Sequence, residues 1–460
     1  MSQRWVLDEI VDAYGATVVV ERDERGRPQA ARFDLAGLPR VDALLAGKPV
    51  ASVPTLVERL CGICPEAHHL AGVRALEMLV GAEALTPTAV AVRALLHHGS
   101  ALETHAARMV AADPEGAAAL RDLGQAAMAA AGSPGHFPVT AVVGGVRAPV
   151  VPEARDALAA RLDAVRAAAA RIARHELAQG GRLEPYTGAD VALVDADGRP
   201  DLLGERLRVV AADGSVLEAA APASAWDRLV AESVPGATAP RPYLVALGQE
   251  AGGYRVGPVP QLRVGTLTTP LAARLQADWA DVGGGARAAR AIVALHSVEA
   301  IGQLLTTDAL VDGPPAVAVG GFDQAAVGVG WADGPRGLLV HRYATDGDGT
   351  LMSATILTPT AQNERWLADL LLSAVGAQES GTREPRTGEP SMEAAIREAD
   401  PCLPCTSAPV GGMGLRVESV AAEPVAASAP ESQHHGAARL QTGQPQTGQP
   451  RAGQPQERSR

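Results

Sequence analysis

Arg59-Leu60-Cys61-Gly62-Ile63-Cys64-Pro65-Glu66-Ala67-His68 and Asp400-Pro401-Cys402-Leu403-Pro404-Cys405 are the two stretches around which this chain is organised. Together they hold all four cysteines of its 460 residues. A Cys-x-x-Cys turn aims two sulfurs at one point, so two such turns offer four thiolates to a soft or borderline metal. Four cysteines are too few for a disulfide scaffold at this length, which leaves a metal site, two redox dithiols or structural thiols. A thioredoxin-like dithiol follows a strand in a short βαβ unit, and two distant pairs fit one shared site better. Cys64 and Cys402 lie 338 positions apart. Closing so long a loop is costly unless a whole domain already brings its ends together. The pattern therefore predicts a metal held deep inside a large fold.

Composition narrows the class. Hydrophobic residues make up 47% of the chain, which is rich in Ala and Gly and has only 3 Phe. Ala-rich helices pack closely, so a compact, largely helical body is expected. A net charge of −12 without a basic stripe argues against nucleic acid as a partner. No uninterrupted apolar run reaches the roughly 18 to 20 residues that span a bilayer. Asp8 and Glu9 interrupt the N-terminus, so no signal peptide is read there and a cytoplasmic location is expected.

Along the chain, alternation over residues 16–34 around Glu24-Arg25-Gly26 predicts a β-hairpin. Pro65 opens a helix at its first position, and Leu70, Val73, Leu76 and Leu79 or Val80 carry helical spacing through about Val80. Further helices are expected at Thr88–Ala111, Ala117–Ala131 and from Pro152 to about Gln179, with a strand at Val139–Val143. Residues 182–265 hold short alternating runs divided by Asp197-Gly198 and Asp213-Gly214 and read as an α+β insert. Helices return at Pro270–Trp279, Ala286–Thr306, Arg365–Val375 and Met392–Ala399, with paired strands at Leu338–Tyr343 and Met352–Leu357. The fold class is thus mainly α with α+β insertions: a long-helix bundle whose N- and C-terminal Cys-x-x-Cys motifs meet at a buried metal site. Residues 1–420 form this domain. Residues 421–460, with Thr442-Gly443-Gln444-Pro445 repeated at Thr447 and varied at Ala452, read as a disordered tail.

The flanks of the cysteine pairs sharpen the metal reading. Together with Tyr254-Arg255-Val256-Gly257-Pro258, Gly334-Pro335-Arg336-Gly337-Leu338-Leu339-Val340-His341 and Thr358-Pro359-Thr360-Ala361-Gln362-Asn363, they resemble the large subunit of nickel–iron hydrogenases. The resemblance is closest to the soluble multi-subunit branches and runs from about Thr17 to Val417. It implies reversible heterolytic cleavage of H2 at nickel and an iron carrying carbon monoxide and cyanide. Cys61 and Cys402 would bind nickel alone, while Cys64 and Cys405 would bridge the two metals. Cys402 would take the proton, since an arginine stays charged at ordinary pH and Arg336 makes a poor base. Asp400 would pair with Arg336, and His68 would donate to a bridging sulfur. With no cysteine left for a cluster, electrons would leave through an iron–sulfur small subunit. Beyond it would lie a flavin- or nicotinamide-linked module, and maturation factors would insert the metals. Taken without the resemblance, Arg336 reads as a surface residue in a Pro-Gly turn, Asp400 as a helix end and His68 as a packed helix residue. A non-catalytic relative or hydrogen sensor and a zinc–thiolate protein are the alternative functions.

Three departures from the family pattern stand out. The family's proton-passing glutamate, in an Arg-Ile-Glu-Gly-His-like stretch, corresponds here to Val11-Asp12-Ala13-Tyr14-Gly15, with Asp12 the nearest acid. Gly37 stands near the register of a second glutamate, and Ala408 replaces a His or Arg three residues after the last cysteine. The magnesium or iron ion that these two positions help to hold in the family is therefore expected to be missing. Many family members lose a C-terminal extension after that His or Arg. With Pro409 following Ala408, this chain is expected to keep its tail or be cut elsewhere.

Overall fold

Proline at the first helical position, where its missing N–H has no role, starts each long helix of the N-terminal half. These are α1 (Pro65–Leu79), α2 (Pro87–Ala106), α3 (Pro114–Ala130) and α4 (Pro152–Ala178). Thr86 and Asp113 cap α2 and α3 by accepting from the N–H of Ala89 and Gly116. The computed structural model describes residues 15–35, 42–82, 84–380 and 391–421. Within these, α5 (Pro270–Val282), α6 (Ala286–Leu305), α7 (Glu364–Ser380) and α8 (Ser391–Ala399) complete the main helices. Helices α2, α3, α4 and α6 pack in turn around one core of Leu, Ala, Ile and Val side chains. Apolar on nearly every side, α6 lies within that core. It is long and apolar enough to cross a membrane, yet 78% of its apolar window is buried in the protein.

The strands of the three larger sheets are β1 (Gly15–Arg22), β2 (Pro28–Phe33), β3 (Ala189–Val194), β4 (Arg206–Val210), β5 (Val216–Pro222), β6 (Tyr254–Arg255), β7 (Ala326–Gly334), β8 (Gly337–Thr345), β9 (Leu351–Leu357) and β10 (Gly414–Ala421). They form sheets in the orders β10-β1-β2, β6-β3-β4-β5 and β7-β8-β9. The expected hairpin is β1–β2, and β8–β9 is the expected strand pair. At 46% helix and 21% strand, however, the protein is a mixed helix–sheet fold rather than a mainly helical one.

Part of the difference is β7, whose Gly328 and Gly330 dilute the apolar alternation that marks a strand. Those glycines are there for packing. A Cβ on either would lie 2.1 Å from a backbone oxygen of α1, at Ala75 and Ala71 respectively. The second missed strand, β10, runs parallel to β1 from Gly15↔Gly414 to Arg22↔Ala421 and is largely exposed, so no apolar face announces it. The strand expected at Val139–Val143 shrinks to a two-residue pairing of Ala141–Val142 with Gly145–Val146. The proposed tail, residues 421–460, lies outside the described residues beyond Ala421.

Gly330→Ala should lower unfolding free energy by roughly 1–3 kcal/mol through overpacking against α1. Gly376→Ala, in α7 with nothing within 4 Å of the added carbon, should raise it by about 0.5–1 kcal/mol. Denaturant midpoints of the two variants check the contrast.

Candidate metal centre

Helix α1 starts directly after the first cysteine pair, with Cys64 preceding Pro65. The second pair leaves α8 through Asp400, whose backbone is left-handed at φ 46°. That conformation costs a non-glycine residue on the order of 1–3 kcal/mol and needs firm support. Three guanidinium groups supply it. Arg108 reaches one carboxylate oxygen at 2.9 Å, Arg290 the other at 3.2 Å, and Arg336 the first again at 3.4 Å. Arg108 also donates to Thr406 Oγ1 at 2.6 Å and to the Thr406 carbonyl, so one side chain grips both flanks of the second motif. The N–H of Cys402 donates to Thr360 Oγ1 at 2.7 Å.

Three of the four sulfurs meet as a result. Cys61 lies 3.2 Å from Cys402 and 3.4 Å from Cys64, and Cys64 lies 3.8 Å from Cys402. Hydrogen bonds from Cys402 and Cys64 pull the Cys61 thiol down to about 3, while the same contacts push Cys64 and Cys402 up. Arg336 Nη1 donates to Cys402 Sγ at 3.5 Å. Cys405 is buried in a second core with Leu367, Ile396 and Met413. Among the described residues no thiol–thiol hydrogen bond joins it to the other three. Burial raises its thiol.

A ring nitrogen of His68 lies within 4.8 Å of the Cys61 and Cys64 sulfurs. Burial lowers its pKa to about 4, so the ring is neutral. Beside the motif a cavity of about 550 Å³ is lined by Glu66, Thr104, Arg108, His136 and Arg336, among others. Glu66 accepts from Ser100 Oγ at 2.8 Å, and burial raises its pKa to about 7.

No protein-family model matches the chain. One component of the F420-non-reducing hydrogenase vhu from Methanococcus voltae is 29% identical over 391 residues, covering 75% of this chain and 91% of that protein. The beta subunit of the NAD-reducing hydrogenase HoxS from Cupriavidus necator is 28% identical, covering 91% and 97%. A crystal structure of an NAD+-reducing nickel–iron hydrogenase in the H2-reduced state matches with a TM-score of 0.73 and 32% identity, over 84% of this chain and 97% of that one. The chain belongs to the nickel–iron hydrogenase large-subunit family.

The residues present fit the nickel–iron centre of such a hydrogenase. Soft sulfur donors converge, and the guanidinium groups of Arg336 and Arg108 oppose the burial that otherwise raises the thiols of the second pair. Several further residues around the sulfurs lie outside the two cysteine motifs. Arg108 lies just past the end of α2, and Arg290 is a buried arginine among the alanines of α6; a charge on so apolar a helix was the available signal. His341 reaches His68 from β8, and Tyr343 in turn reaches His341. Thr104 Oγ1 donates to the Ile63 carbonyl at 3.2 Å, tying α2 to the first motif. His105 is buried near the arginines. Asp12 and Gly37 lie outside the described residues. Ala408 is buried, and its carbonyl accepts from Arg397 at 3.0 Å.

Asp400→Asn should lower unfolding free energy by roughly 3–5 kcal/mol, because the buried Arg290 and Arg336 and the partly buried Arg108 lose their anion. Burial pushes the Asp400 carboxyl up, but Arg336, Arg290 and Arg108 outweigh it and hold the group below the carboxylate range. Its stabilisation is thus fully present above an unfolded value of about 3.9 and is lost as pH falls towards the depressed native value. Wild-type stability should drop on acidification in that window, and Asp400→Asn should flatten the drop. Denaturation curves at stepped pH test both.

Proposed function

We propose that Cys61, Cys64, Cys402 and Cys405 hold the nickel–iron pair of a large subunit that activates H2. The meeting of three of these sulfurs from opposite ends of the chain carries this reading. Cys405 joins them on the resemblance of its turn. When bound, the metal pair supplies the two-electron chemistry of heterolytic H2 cleavage. The surrounding side chains manage charge and protons. Burial opposes the charge of Arg336, but Asp400 and Cys402 more than offset this and raise its pKa, which supports a fixed cation rather than a base. It steers the bound gas and stabilises negative charge on Cys402 Sγ, the atom we assign as proton acceptor. Asp400 orients Arg336, and His68 donates towards the sulfur cluster.

Electrons leave through a partner. The relatives are subunits of multi-subunit hydrogenases, and all four cysteines here belong to the two motifs. This supports an iron–sulfur small subunit, with a nicotinamide- or flavin-linked module beyond it; the cytoplasmic location we assign to the complex rests on the resemblance to the soluble branches. The pairing of β10 with β1 supports a mature chain that keeps residues beyond Ala408.

Infrared spectroscopy of the purified complex tests the centre. Bands from iron-bound carbon monoxide and cyanide, with nickel by metal analysis, are expected. Zinc-loaded protein without those bands, from cells competent in nickel insertion, would overturn it. Arg336→Lys, which loses the planar fork to Asp400 and Cys402, should reduce H2-dependent dye reduction by roughly 10²-fold or more while the infrared bands persist. Intact mass should exceed that of a chain ending at Ala408; cleavage after Ala408 would refute the retained terminus.

A further inference from the structure

His68, on α1, is the first member of a buried chain of three polar rings. His68 Nδ1 lies 3.1 Å from His341 Nε2, and His341 Nδ1 lies 2.6 Å from the Tyr343 hydroxyl. Relative exposures are 3%, 0% and 0%, so water does not compete for these bonds. His341 and Tyr343 stand two apart on β8 and so share the face turned to α1. Gly72, one turn beyond His68 on α1, makes the seat for the phenol: a Cβ there would lie 3.2 Å from the hydroxyl oxygen.

The phenol sets the direction of the chain. Among the described residues, the hydroxyl of Tyr343 has His341 as its hydrogen-bond partner. If it accepted from His341, its own hydrogen would be buried without an acceptor, which folded proteins avoid. It therefore donates, and His341 Nδ1 accepts. A neutral imidazole has one donor and one acceptor nitrogen, so His341 Nε2 carries a hydrogen and gives it to His68 Nδ1. His68 Nε2 is then an N–H. Both rings are kept neutral by burial, consistent with single tautomers.

We infer that Tyr343 and His341 are positioning residues that lock His68 as a hydrogen-bond donor to the cysteine cluster, leaving neither ring nitrogen with a lone pair to ligate metal. This goes beyond the proximity of Cys61, Cys64 and His68, which alone is compatible with a metal-binding histidine. It rests on the nickel–iron reading above. Outer partners that fix a histidine's tautomer in this way tune the electron density of a metal site.

The test uses infrared spectra of the purified heteromeric complex, taken alongside its activity. A hydrogen bond withdraws charge from sulfur, so its loss enriches the metals and lowers the carbon monoxide and cyanide stretches. Tyr343→Phe frees His68 to adopt either tautomer, and its bands should move to lower wavenumber or split. At position 341, Gln can accept from Tyr343 and donate to His68, whereas Leu can do neither. His341→Gln should keep the wild-type bands, and His341→Leu should shift them as Tyr343→Phe does. Bands in Tyr343→Phe that superimpose on wild type would overturn the inference, as would equal behaviour of the two substitutions at 341. Should Tyr343→Phe fail to load metal, the pair at 341 decides alone. Absence of the bands from the wild-type complex would refute the nickel–iron reading itself, a result distinct from unmoved bands.

Discussion

One buried carboxylate ties the distant parts of this chain to a common point. Asp400 receives Arg108 from the end of α2, Arg290 from α6 and Arg336 from the turn between β7 and β8. None of these arginines is near Asp400 in sequence, so their convergence makes the second cysteine pair part of the helical body. A buried ion cluster is weak evidence for net stability, because desolvation consumes much of the Coulomb gain. Its value here is positional. The three cations hold a left-handed Asp400, the left-handed residue turns the chain into Pro401 and Cys402, and the surplus positive charge offsets part of the burial that raises the thiols delivered. The position of the second motif and the charge around its sulfurs thus depend on the same side chain.

Helix α1 makes the complementary arrangement for the first pair. Cys64 precedes its first residue, His68 follows one turn later and Gly72 another turn on, so all three lie along one face. Nearby, Ala71 and Ala75 present backbone oxygens to Gly328 and Gly330 of β7. With no side chain between them, helix and sheet approach closely enough for β8 to set two polar rings against the helix. Small residues that look like weak packing are what make the hydrogen-bonded chain from Tyr343 to His68 geometrically available. Gly337, at φ 126°, does the same for the turn carrying Arg336: a Cβ there would lie 2.6 Å from Val256.

What could be read from the sequence follows from how each feature is encoded. Helices opened by proline and carrying regular apolar spacing were legible nearly to the residue, as at Pro65, Pro152 and Pro270. The cysteine pairs were legible because the two-residue spacer is itself the geometry of the turn. Strand β7 was not, since its defining residues are glycines that act through what they leave out. Helix α2 was expected to continue to Ala111 but stops at Ala106, and just beyond it Arg108 turns to the second motif. The supporting residues Arg108, Arg290, His341 and Tyr343 have no fixed spacing from the cysteines, because packing alone brings them there. A motif therefore shows which atoms are offered to a metal, and only the fold shows which charges and tautomers surround them. For His68 the difference is chemical: its distance from two cysteines suits a ligand, and its outer partners make it a donor.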